Sequence, residues 1–464
     1  MAFRDLQEFL SMLEDGGELH RVTVEVDPFL EIAEITNRMS KSANGGKALL
    51  FERVKGSAYP VATNLFGSFR RMAAALGVDD LQGLTLRMQT LLDGLPATSL
   101  VGKSALLSRS AEFAAAAPSL VETGPCQEIV EDTPDLGAYP FLKTWPEDAG
   151  FAMTLPLVFT RDLETGRSNC GMYRVRIFDR TTVGIHWQSA SGGAGHYAKH
   201  RSAGTRMPVA IAIGGDPAII LAAAMPLPEP LDEMQFAGFL RTRPVEMVLC
   251  LTSGIEVPAA AEMVLEGYIE PGELREGGFF GNHTGRYVSG GKVPVMHVSC
   301  VTSRAGMSCP ATVIGPPPME DCFLAKAAER LLVPFSRARI PALVDINLPL
   351  EGIFHGCAIV AIRKEHDDHP QEVMAALWAE GWLRKARMLI LVDADVAVTD
   401  LSLVAWKVVN NTQWPRDMVF AEGKLGFDAT RKSLDESGQE FREIRQDEAV
   451  IKLVDRRWLE YGCA

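Results

Sequence analysis

The sequence predicts a multidomain α+β and α/β protein in which a β-rich middle section lies between two sections of mixed helix and strand. At 464 residues the chain is too long for one hydrophobic core. Strand-like runs dominate its middle, whereas strands alternate with helices toward both ends. We therefore predict an N-terminal α/β domain at 1–118, a mostly antiparallel sheet or barrel at 119–315, and a C-terminal α/β domain with a helical tail at 316–464.

The N-terminal section alternates between the apolar spacing of helices and that of strands. Residues 5–15 and 28–42 space their apolar side chains as amphipathic helices do, and 18–26 and 48–54 have the pattern of short strands. Residues 118–148 carry five prolines and no clean period, which is typical of an extended connection between domains. The first domain boundary is therefore predicted there.

The middle and C-terminal sections differ in how their strands are spaced. Residues 150–312 are rich in β-branched and aromatic runs separated by Gly, Pro, Asp and Asn, as in antiparallel sheets, with 231–241 as the predicted helix among them. "SGGAG" at 191–195 lacks the spacing of a dinucleotide loop and is not expected to open a helix after a parallel strand. Beyond 320, apolar strands alternate with helices, which predicts a covered, mainly parallel sheet.

Charge and cysteine use restrict the class of protein. The formal net charge of -13 argues against nonspecific binding to nucleic acid or to a membrane surface. The eight cysteines are scattered without a C-x-x-C pair, which favours a reduced compartment. The start of the chain lacks the order of a signal peptide, and the most apolar stretch, 209–230, is broken by Gly, Asp and Pro. We expect a soluble, cytoplasmic protein.

Residues 168–193 contain the first candidate site. Asn169 and Arg174 lie five positions apart, and His186 follows on a returning strand. If these strands form a hairpin, an amide, a guanidinium and an imidazole converge at one end of a sheet. The alternative is ordinary packing, because strand alternation places Tyr173 and Arg174 on opposite faces and Trp187 suits a core. Both interpretations remain open from the residues alone.

Two further stretches carry ionisable groups at positions where helices or loops begin. Glu233 lies in the first turn of the predicted helix, where it either complements the helix dipole or reaches a cation. With an Asn oxygen it forms a hard-oxygen set suited to magnesium or manganese. The stretch 274–287 places Glu276, Asn282 and His283 among glycines, which indicates either a tight turn or a lined pocket.

Five motifs in order give the chain a specific resemblance. "NCGMYR", "HWQ", "PLPEPLDEMQFAGFLR", "EVPAAAEMVLEGYIEPGE" and "EGGFFGNHTGRY" resemble the UbiD family of decarboxylases that depend on prenylated FMN (prFMN), and the resemblance runs from the first helix to about residue 420. It implies an N-terminal α/β domain, a central split β-barrel of the flavin-reductase-like kind that binds prFMN, and a C-terminal α/β domain for oligomerisation.

The resemblance also implies an activity and a set of partners. The implied activity is reversible, non-oxidative decarboxylation of an aromatic, heteroaromatic or α,β-unsaturated acid, with CO2 as the other product. The implied cofactors are prFMN and Mn2+ or Mg2+, with K+ as an accessory ion. A flavin prenyltransferase would supply the prFMN, and the chain would assemble as a homodimer or homohexamer.

Residue by residue, the resemblance assigns the binding site. Asn169 and Glu233 match the metal ligands, whereas the His that some relatives supply falls here near Ser191 and Gly192, so the third protein ligand is not assigned. The matched cofactor-binding residues are Asn169, Met172, Tyr173, Arg174, His186, Trp187, Gln188, Ser191, Gly192, Met225 and Glu233.

The catalytic assignment also follows from the resemblance. Arg174 matches the catalytic arginine, which would bind the substrate carboxylate and pair with Glu276. Glu276 matches the first carboxylate of the family's Glu-Arg-Glu/Asp network and is the expected proton donor. The second carboxylate falls at Asn282, an amide that can orient groups together with His283 but cannot act as an acid. The alternatives are a catalytically silent, cofactor-binding subunit of a multicomponent decarboxylase and, more remotely, an FMN-dependent reductase.

Overall fold

The computed structural model describes most of the chain. The described residues are 3–96, 100–108, 110–188, 191–228, 230–379, 381–434, 438–439, 444 and 446–462. The helices are α1 Leu6–Asp15, α2 Glu31–Ser40, α3 Phe69–Ala75, α4 Gln82–Asp93, α5 Leu100–Leu107, α6 Ala111–Ala115, α7 Gly192–Ala203, α8 Pro217–Ala224, α9 Glu233–Arg241, α10 Glu320–Arg339, α11 His369–Ala379, α12 Leu401–Asn411 and α13 Glu448–Arg457. Single 3-10 turns are Ala43–Gly45, Pro125–Gln127, Leu136–Ala138, Leu350–Gly352 and Trp458–Tyr461.

The strands are short in the N-terminal section and longest in the middle of the chain. They are β1 Leu19–Val26, β2 Ala48–Val54, β3 Val61–Thr63, β4 Ser119–Val121, β5 Ile129–Glu131, β6 Ala152–Met153, β7 Pro156–Arg161, β8 Ser168–Met172, β9 Val175–Ile177, β10 Thr182–Ile185, β11 Met207–Ile213, β12 Glu246–Leu249, β13 Glu256–Pro258, β14 Met263–Glu276, β15 Phe279–Gly281, β16 Tyr287–Ser289, β17 Lys292–Ser303, β18 Cys309–Pro310, β19 Leu343–Asn347, β20 Cys357–Ile362, β21 Met388–Asp393, β22 Met418–Ala421 and β23 Lys424–Asp428.

The N-terminal section forms the predicted mixture of helices and strands. Asp5 caps α1, since its side chain accepts a hydrogen bond from the Glu8 amide, and the apolar face of α1 is buried. The sheet has the order β1-β2-β3-β18, so a strand from beyond the central sheet completes it. The predicted helices at α1 and α2 and strands at β1 and β2 are confirmed.

The central section is an antiparallel sheet of nine strands, as predicted in kind. Its order is β6-β9-β10-β17-β14-β11-β7-β8, with β5 paired to β17. The sheet is open, because β6 and β8 end the hydrogen-bonded order and no described strand joins them. The hairpin considered for 168–193 forms in part: β9 pairs antiparallel with the returning strand β10, whereas β8, which carries Asn169, pairs with β7.

The chain crosses from one end of this order to the other within a few residues. Met172 ends β8 and Val175 begins β9. Three residue steps span at most about 11 Å, so the sheet must curl until these two strands are close in space. Tyr173 and Arg174 form the crossing.

The prediction of a single helix in the middle section was incomplete. The segment 231–241 does contain α9, but α7 and α8 are helical as well. "SGGAG" opens α7, because the Ser191 hydroxyl accepts from the Ala194 amide and caps the first turn. Nearly every residue of α8 is buried, which removes the one-sided period that reveals a surface helix.

The C-terminal section is an α/β unit entered through the long helix α10. Its five-stranded sheet has the order β19-β20-β21-β23-β22. The middle pairs β20 with β21 and β21 with β23 are parallel, whereas the edge strands β19 and β22 are antiparallel to their neighbours. The mainly parallel sheet predicted from sequence is confirmed for the interior strands.

One large apolar cluster connects the sections. It includes residues of α1, α4, α8, α9 and α10, so the N-terminal helices and the helices beside the central sheet share a core. None of the helices in the described part of the chain combines the length and apolar character needed to cross a bilayer.

Candidate active site

The first part of the candidate site is a cradle formed where α7 meets β8. Asn169 lies on β8, and a Cβ built on Gly192 would come within 1.9 Å of its Oδ1. A glycine is therefore required for the N-terminus of α7 to approach this amide so closely. Ser191 caps the helix with its hydroxyl 3.3 Å from the Ala194 amide. The first turn of α7 consequently presents backbone N–H groups beside Asn169, an arrangement suited to an anion.

Glu233 approaches the same strand from the start of α9. Its Oε2 accepts a hydrogen bond of 3.3 Å from the backbone amide of Cys170, the residue after Asn169. Burial raises the pKa of the Glu233 carboxyl to about 7. Asp232 caps α9 through its own side chain, which leaves the Glu233 carboxylate directed to β8.

The residues of the cradle fit a divalent cation held next to a phosphate. The Nδ2 atom of Asn169 is buried without a hydrogen-bond partner, and Glu233 is a buried carboxyl that a cation would stabilise. An amide oxygen and a carboxylate are ligands that Mg2+ and Mn2+ prefer. No group of three or more His, Cys, Asp or Glu side chains able to hold a metal occurs among the described residues. Phosphate and water oxygens would therefore complete such a site.

An aromatic pair lies behind the cradle. The rings of Tyr173 and Trp187 meet edge to face at 4.8 Å. A Cβ on Gly193 would lie 2.4 Å from the Trp187 ring, so α7 packs directly on the indole. Burial raises the pKa of the Tyr173 phenol, whose neighbours include Ser191. The indole Nε1 is buried without a partner and is available to a bound group.

The second part of the site centres on Arg174, whose partner differs from the predicted one. Its Nη2 donates to Oδ2 of Asp148 at 3.0 Å, and the Arg174 side chain is 16% exposed. The guanidinium also lies 5.0 Å from the centroid of the Phe280 ring. The predicted pairing of Arg174 with Glu276 is therefore wrong in this structure, because Asp148 occupies that role.

His186 supports the β14–β17 loop, which we define as residues 277–291. Its ring meets Phe280 edge to face at 5.1 Å. A Cβ on Gly277 or Gly290 would lie 2.7 or 2.3 Å from His186 Cε1, so both glycines are needed for the loop to pack against the imidazole. Burial, with help from Arg174, lowers the pKa of His186 to about 4. The imidazole is consequently neutral near neutral pH.

Glu276 stands at the end of β14, immediately before this loop. Its side chain is exposed, whereas its backbone oxygen accepts a 2.8 Å hydrogen bond from Nη1 of Arg176. Arg176 also donates to the backbone oxygen of Ala149 through Nη2. The main chain at Glu276 is therefore fixed while its carboxylate extends toward solvent.

Asn282 shapes the loop through its side-chain oxygen. Its Oδ1 accepts from the Thr284 amide at 2.9 Å and from the Thr284 hydroxyl at 2.6 Å, which is an Asx turn. The expectation that its amide orients groups or substrate stays a prediction. The neighbouring His283 instead packs on Phe354 at 4.5 Å and His355 at 4.9 Å, which joins the loop to the C-terminal section.

The remaining predicted cofactor residues have mainly supporting positions. Gln188 is exposed, and its backbone oxygen accepts from the Ser191 amide at 2.9 Å. Met225 is buried after α8, and Met172 packs against the same apolar cluster. The structure thus brings Asn169, Tyr173, Trp187, Ser191, Gly192 and Glu233 into one group and Arg174 and His186 into a second.

Sequence reasoning missed Asp148 and Arg176. Asp148 belongs to the proline-rich connection, in "WPEDAG", where no period marks a buried residue. Arg176 follows Arg174 by two positions, so strand alternation was the available signal that it shares a side of the chain with Arg174. Each residue links Arg174 or the β14–β17 loop to its surroundings.

Comparison with known proteins identifies the class. The family profiles for 3-octaprenyl-4-hydroxybenzoate carboxy-lyase match in order: the N-terminal domain at 10–88, the Rift-related domain at 119–317 and the C-terminal domain at 322–444. The fold and these matches define an enzyme of the carboxy-lyase class. More particularly, the chain belongs to the UbiD family, and the predicted family resemblance is confirmed.

Relatives and solved structures agree with this membership. The chain is 42% identical to an uncharacterized protein of Archaeoglobus fulgidus, with 99% of each chain covered. An evolved dimeric form of the UbiD-class enzyme HmfF from Pelotomaculum thermopropionicum, in complex with prFMN, has a TM-score of 0.81 at 29% identity and covers 98% of this chain and 100% of that chain. The closed form of Sedimentibacter hydroxybenzoicus vanillic acid decarboxylase has a TM-score of 0.87 at 24% identity, with 99% of each chain covered, which concerns the fold.

Proposed function

We propose that this chain is a prFMN-dependent decarboxylase that acts reversibly and without oxidation on an aromatic or heteroaromatic carboxylic acid, with an α,β-unsaturated acid as the wider substrate class. The observation that carries the proposal is that the cradle for a phosphate and a cation lies close in sequence to an arginine suited to a carboxylate. Asn169, in the cradle for a phosphate and a cation, precedes the buried Arg174 by five positions on the same stretch of chain. A cofactor anchored in the cradle would therefore lie beside a cation able to bind a carboxylate.

The proposed cofactor contacts follow from the chemistry of the cradle. Asn169 and Glu233 would hold Mn2+ or Mg2+, and the first turn of α7, capped by Ser191, would receive the phosphate. K+ is a proposed accessory ion. When bound, prFMN supplies the electron sink that makes loss of CO2 feasible. The Trp187 indole and the Tyr173 phenol would border the cofactor from the β8 side.

Arg174 is the proposed partner of the substrate carboxylate. Its buried guanidinium has already lost much of its hydration, so an anionic group bound there would be held more strongly than at the surface. Phe280 and His186 place aromatic rings next to it. A flat, aromatic acid matches this combination of one cation and ring faces.

Glu276 is the proposed residue for proton delivery. Its main chain is fixed by Arg176, while its exposed carboxyl has room to reach the substrate carbon or to take up a proton from water. His186 is a weaker candidate for this step, because its lowered pKa leaves it neutral and poorly able to donate at neutral pH. Asn282 keeps the supporting role of shaping the loop.

A homo-oligomer, a dimer or a hexamer, is the proposed assembly. Helix α13 contains no buried residue, and its apolar side chains Val450, Ile451 and Leu453 are 44%, 46% and 43% exposed. A second copy would cover this apolar stripe. Substituting Val450 and Ile451 by serine should lower the oligomeric mass measured by analytical ultracentrifugation. An unchanged mass would contradict the use of α13 in assembly.

The proposed setting is a reducing compartment, the cytoplasm. The cysteines among the described residues are free and buried, which is the state that a reducing compartment maintains. A flavin prenyltransferase in the same compartment would supply prFMN. Fractionation of cells producing the tagged chain checks this expectation.

Cofactor retention gives a test that is independent of turnover. The chain is produced with and without a flavin prenyltransferase, and the bound flavin is read by absorbance and mass spectrometry, with manganese measured on the same sample. We expect prFMN and metal in the first preparation, and loss of both in Glu233→Gln. Glu246→Gln, the same change at an exposed position on β12, is the matched control and should retain both. Absence of bound prFMN from the wild-type chain under all loading conditions would refute the proposal.

The same preparation distinguishes the decarboxylase from the second candidate, a catalytically silent subunit. A silent subunit would bind prFMN but leave every acid in a substrate panel unchanged until another chain is added. Turnover by the purified chain alone excludes it. The retained Arg174 and Glu276 favour the catalytic alternative.

A further inference from the structure

Asp148 is the most completely bonded buried carboxylate near the candidate site. Its side chain is fully buried. Oδ2 accepts from the Thr144 hydroxyl at 2.5 Å, from the Trp145 amide at 3.1 Å and from Nη2 of Arg174 at 3.0 Å. Oδ1 accepts from the Gly281 amide at 2.8 Å. All four groups are donors, so both side-chain oxygens of Asp148 act as acceptors.

The two oxygens of Asp148 serve different parts of the site. Oδ2 fixes Arg174, whereas Oδ1 fixes Gly281, which lies in the β14–β17 loop and ends β15. Phe280, next to Gly281, carries the ring over which the Arg174 guanidinium lies. The position of the loop and the orientation of the guanidinium therefore depend on one carboxylate.

We propose that Asp148 is the positioning residue of this enzyme: it orients Arg174 for the substrate carboxylate and holds the β14–β17 loop against it. This inference rests on the proposed function, because it takes Arg174 as the group that binds the acid. The hydrogen bond to Asp148 engages Nη2, so the rest of the guanidinium can face a second carboxylate. Because Asp148 orients Arg174, Glu276 does not have to do so, and its exposed carboxyl is free for proton delivery.

Trp145 extends the same connection toward the C-terminal section. Its amide donates to Asp148, and its indole Nε1 donates to the backbone oxygen of Ile314 at 2.8 Å. A Cβ on Gly281 or Gly315 would lie within 2.4 Å of the indole, so the loop and the segment before α10 both pack on this ring. Asp148 is thus connected through Trp145 to the segment that precedes α10.

Asp148→Asn tests the proposal because an amide replaces one acceptor by a donor. The amide oxygen should face the three donors on the Oδ2 side, so the NH2 group faces the Gly281 N–H and that hydrogen bond is lost, while the bond from Arg174 loses its charged acceptor. We expect kcat/KM to fall by roughly 100-fold, as for a misplaced catalytic group, with a rise in KM for the acid. Bound prFMN should be unchanged, and the Gly281 amide should lose protection from hydrogen exchange.

Asp216→Asn is the matched control, since Asp216 is another buried aspartate paired with an arginine, Arg241, at 3.1 Å. It should lower stability without changing kcat/KM or exchange at Gly281. If Asp148→Asn fails to fold, Thr144→Val removes one donor from the same oxygen and should lower kcat/KM by roughly tenfold. Retention of wild-type kcat/KM and of Gly281 protection in the Asp148 variant would overturn the proposal.

Benzoate, used as an inert aromatic carboxylate, separates this proposal from the proposed function. If the wild-type chain turns over no acid, the proposed function fails, but benzoate binding and Gly281 exchange still report on Asp148. Weaker benzoate binding together with faster Gly281 exchange in Asp148→Asn supports positioning. Equal binding and equal exchange in the two proteins contradict it.

Discussion

Acidification should loosen the β14–β17 loop from the C-terminal section through His283. The His283 ring lies 4.5 Å from Phe354 and 4.9 Å from His355, and burial, with the charge of His355, lowers its pKa to about 4. An open or unfolded loop would protonate the same ring near its ordinary pKa of about 6.5. As the pH falls below that value, the open form gains a proton that the packed form does not, so the packed form loses stability as the pH falls toward 4.

The size of the effect follows from these two pKa values. At about pH 5 the packed loop would lose about 2 kcal/mol relative to neutral pH, and partial exposure of the ring reduces this to about 1 kcal/mol. A change of that size raises the population of the open loop roughly fivefold. His186 faces the same loop from the other side, and its pKa of about 4 adds a contribution in the same pH range.

The assay is hydrogen exchange of peptides from 277–291, measured near pH 7.5 and pH 5 and corrected for the intrinsic rate. His283→Phe keeps an aromatic ring against Phe354 but cannot take up a proton, so it should reduce the response without abolishing it, because His186 remains. His20→Phe, the same change at an exposed position on β1, is the control and should respond as the wild type does. An undiminished response in His283→Phe would show that protonation of this ring does not loosen the loop.

Three further substitutions test individual contacts. Arg174→Lys keeps the charge but loses the planar fork, so kcat/KM should fall by roughly 100-fold in steady-state kinetics while prFMN stays bound; unchanged kinetics would exclude Arg174 from substrate binding. Gly192→Ala introduces a Cβ within 1.9 Å of Asn169 Oδ1, so elemental analysis should find less manganese, and full occupancy would show that the cradle tolerates the methyl group. Asn282→Asp can accept the same two hydrogen bonds from Thr284, so thermal denaturation should show a stability change below about 0.5 kcal/mol. The pH profile of kcat should also be unchanged in Asn282→Asp, and a shifted profile would return position 282 to the proton path.

Much of the fold could be predicted because amphipathic periods survive where an element has one exposed face. Helices α1 and α2 show this clearly, as does the alternation of strands and helices after α10. Helix α8 was missed because it is buried almost all round and so has no polar face to set a period. The open order of the central sheet was not predictable either, since it depends on which distant strands pair.

Single motifs of the candidate site could be predicted from the sequence, but the side chains that contact one another in the site were harder to predict. Glu233 does reach β8, where its carboxylate bonds the backbone amide of Cys170, the residue after Asn169. The partner of Arg174 was predicted wrongly because Asp148 comes from an irregular connection that carries no period. The turn at Asn282 could have been anticipated, since an Asn side chain often bonds the amide two residues later.

The proposed decarboxylation is tested most directly by release of CO2 from carboxyl-labelled aromatic and heteroaromatic acids by the purified chain carrying prFMN. We predict release from at least one acid in the panel by this preparation, and none from the chain produced without a flavin prenyltransferase. Arg174→Ala, loaded with the same amount of prFMN, should release none. The claim would be contradicted if the fully loaded wild-type chain released no label from any acid, or if release were equal without prFMN.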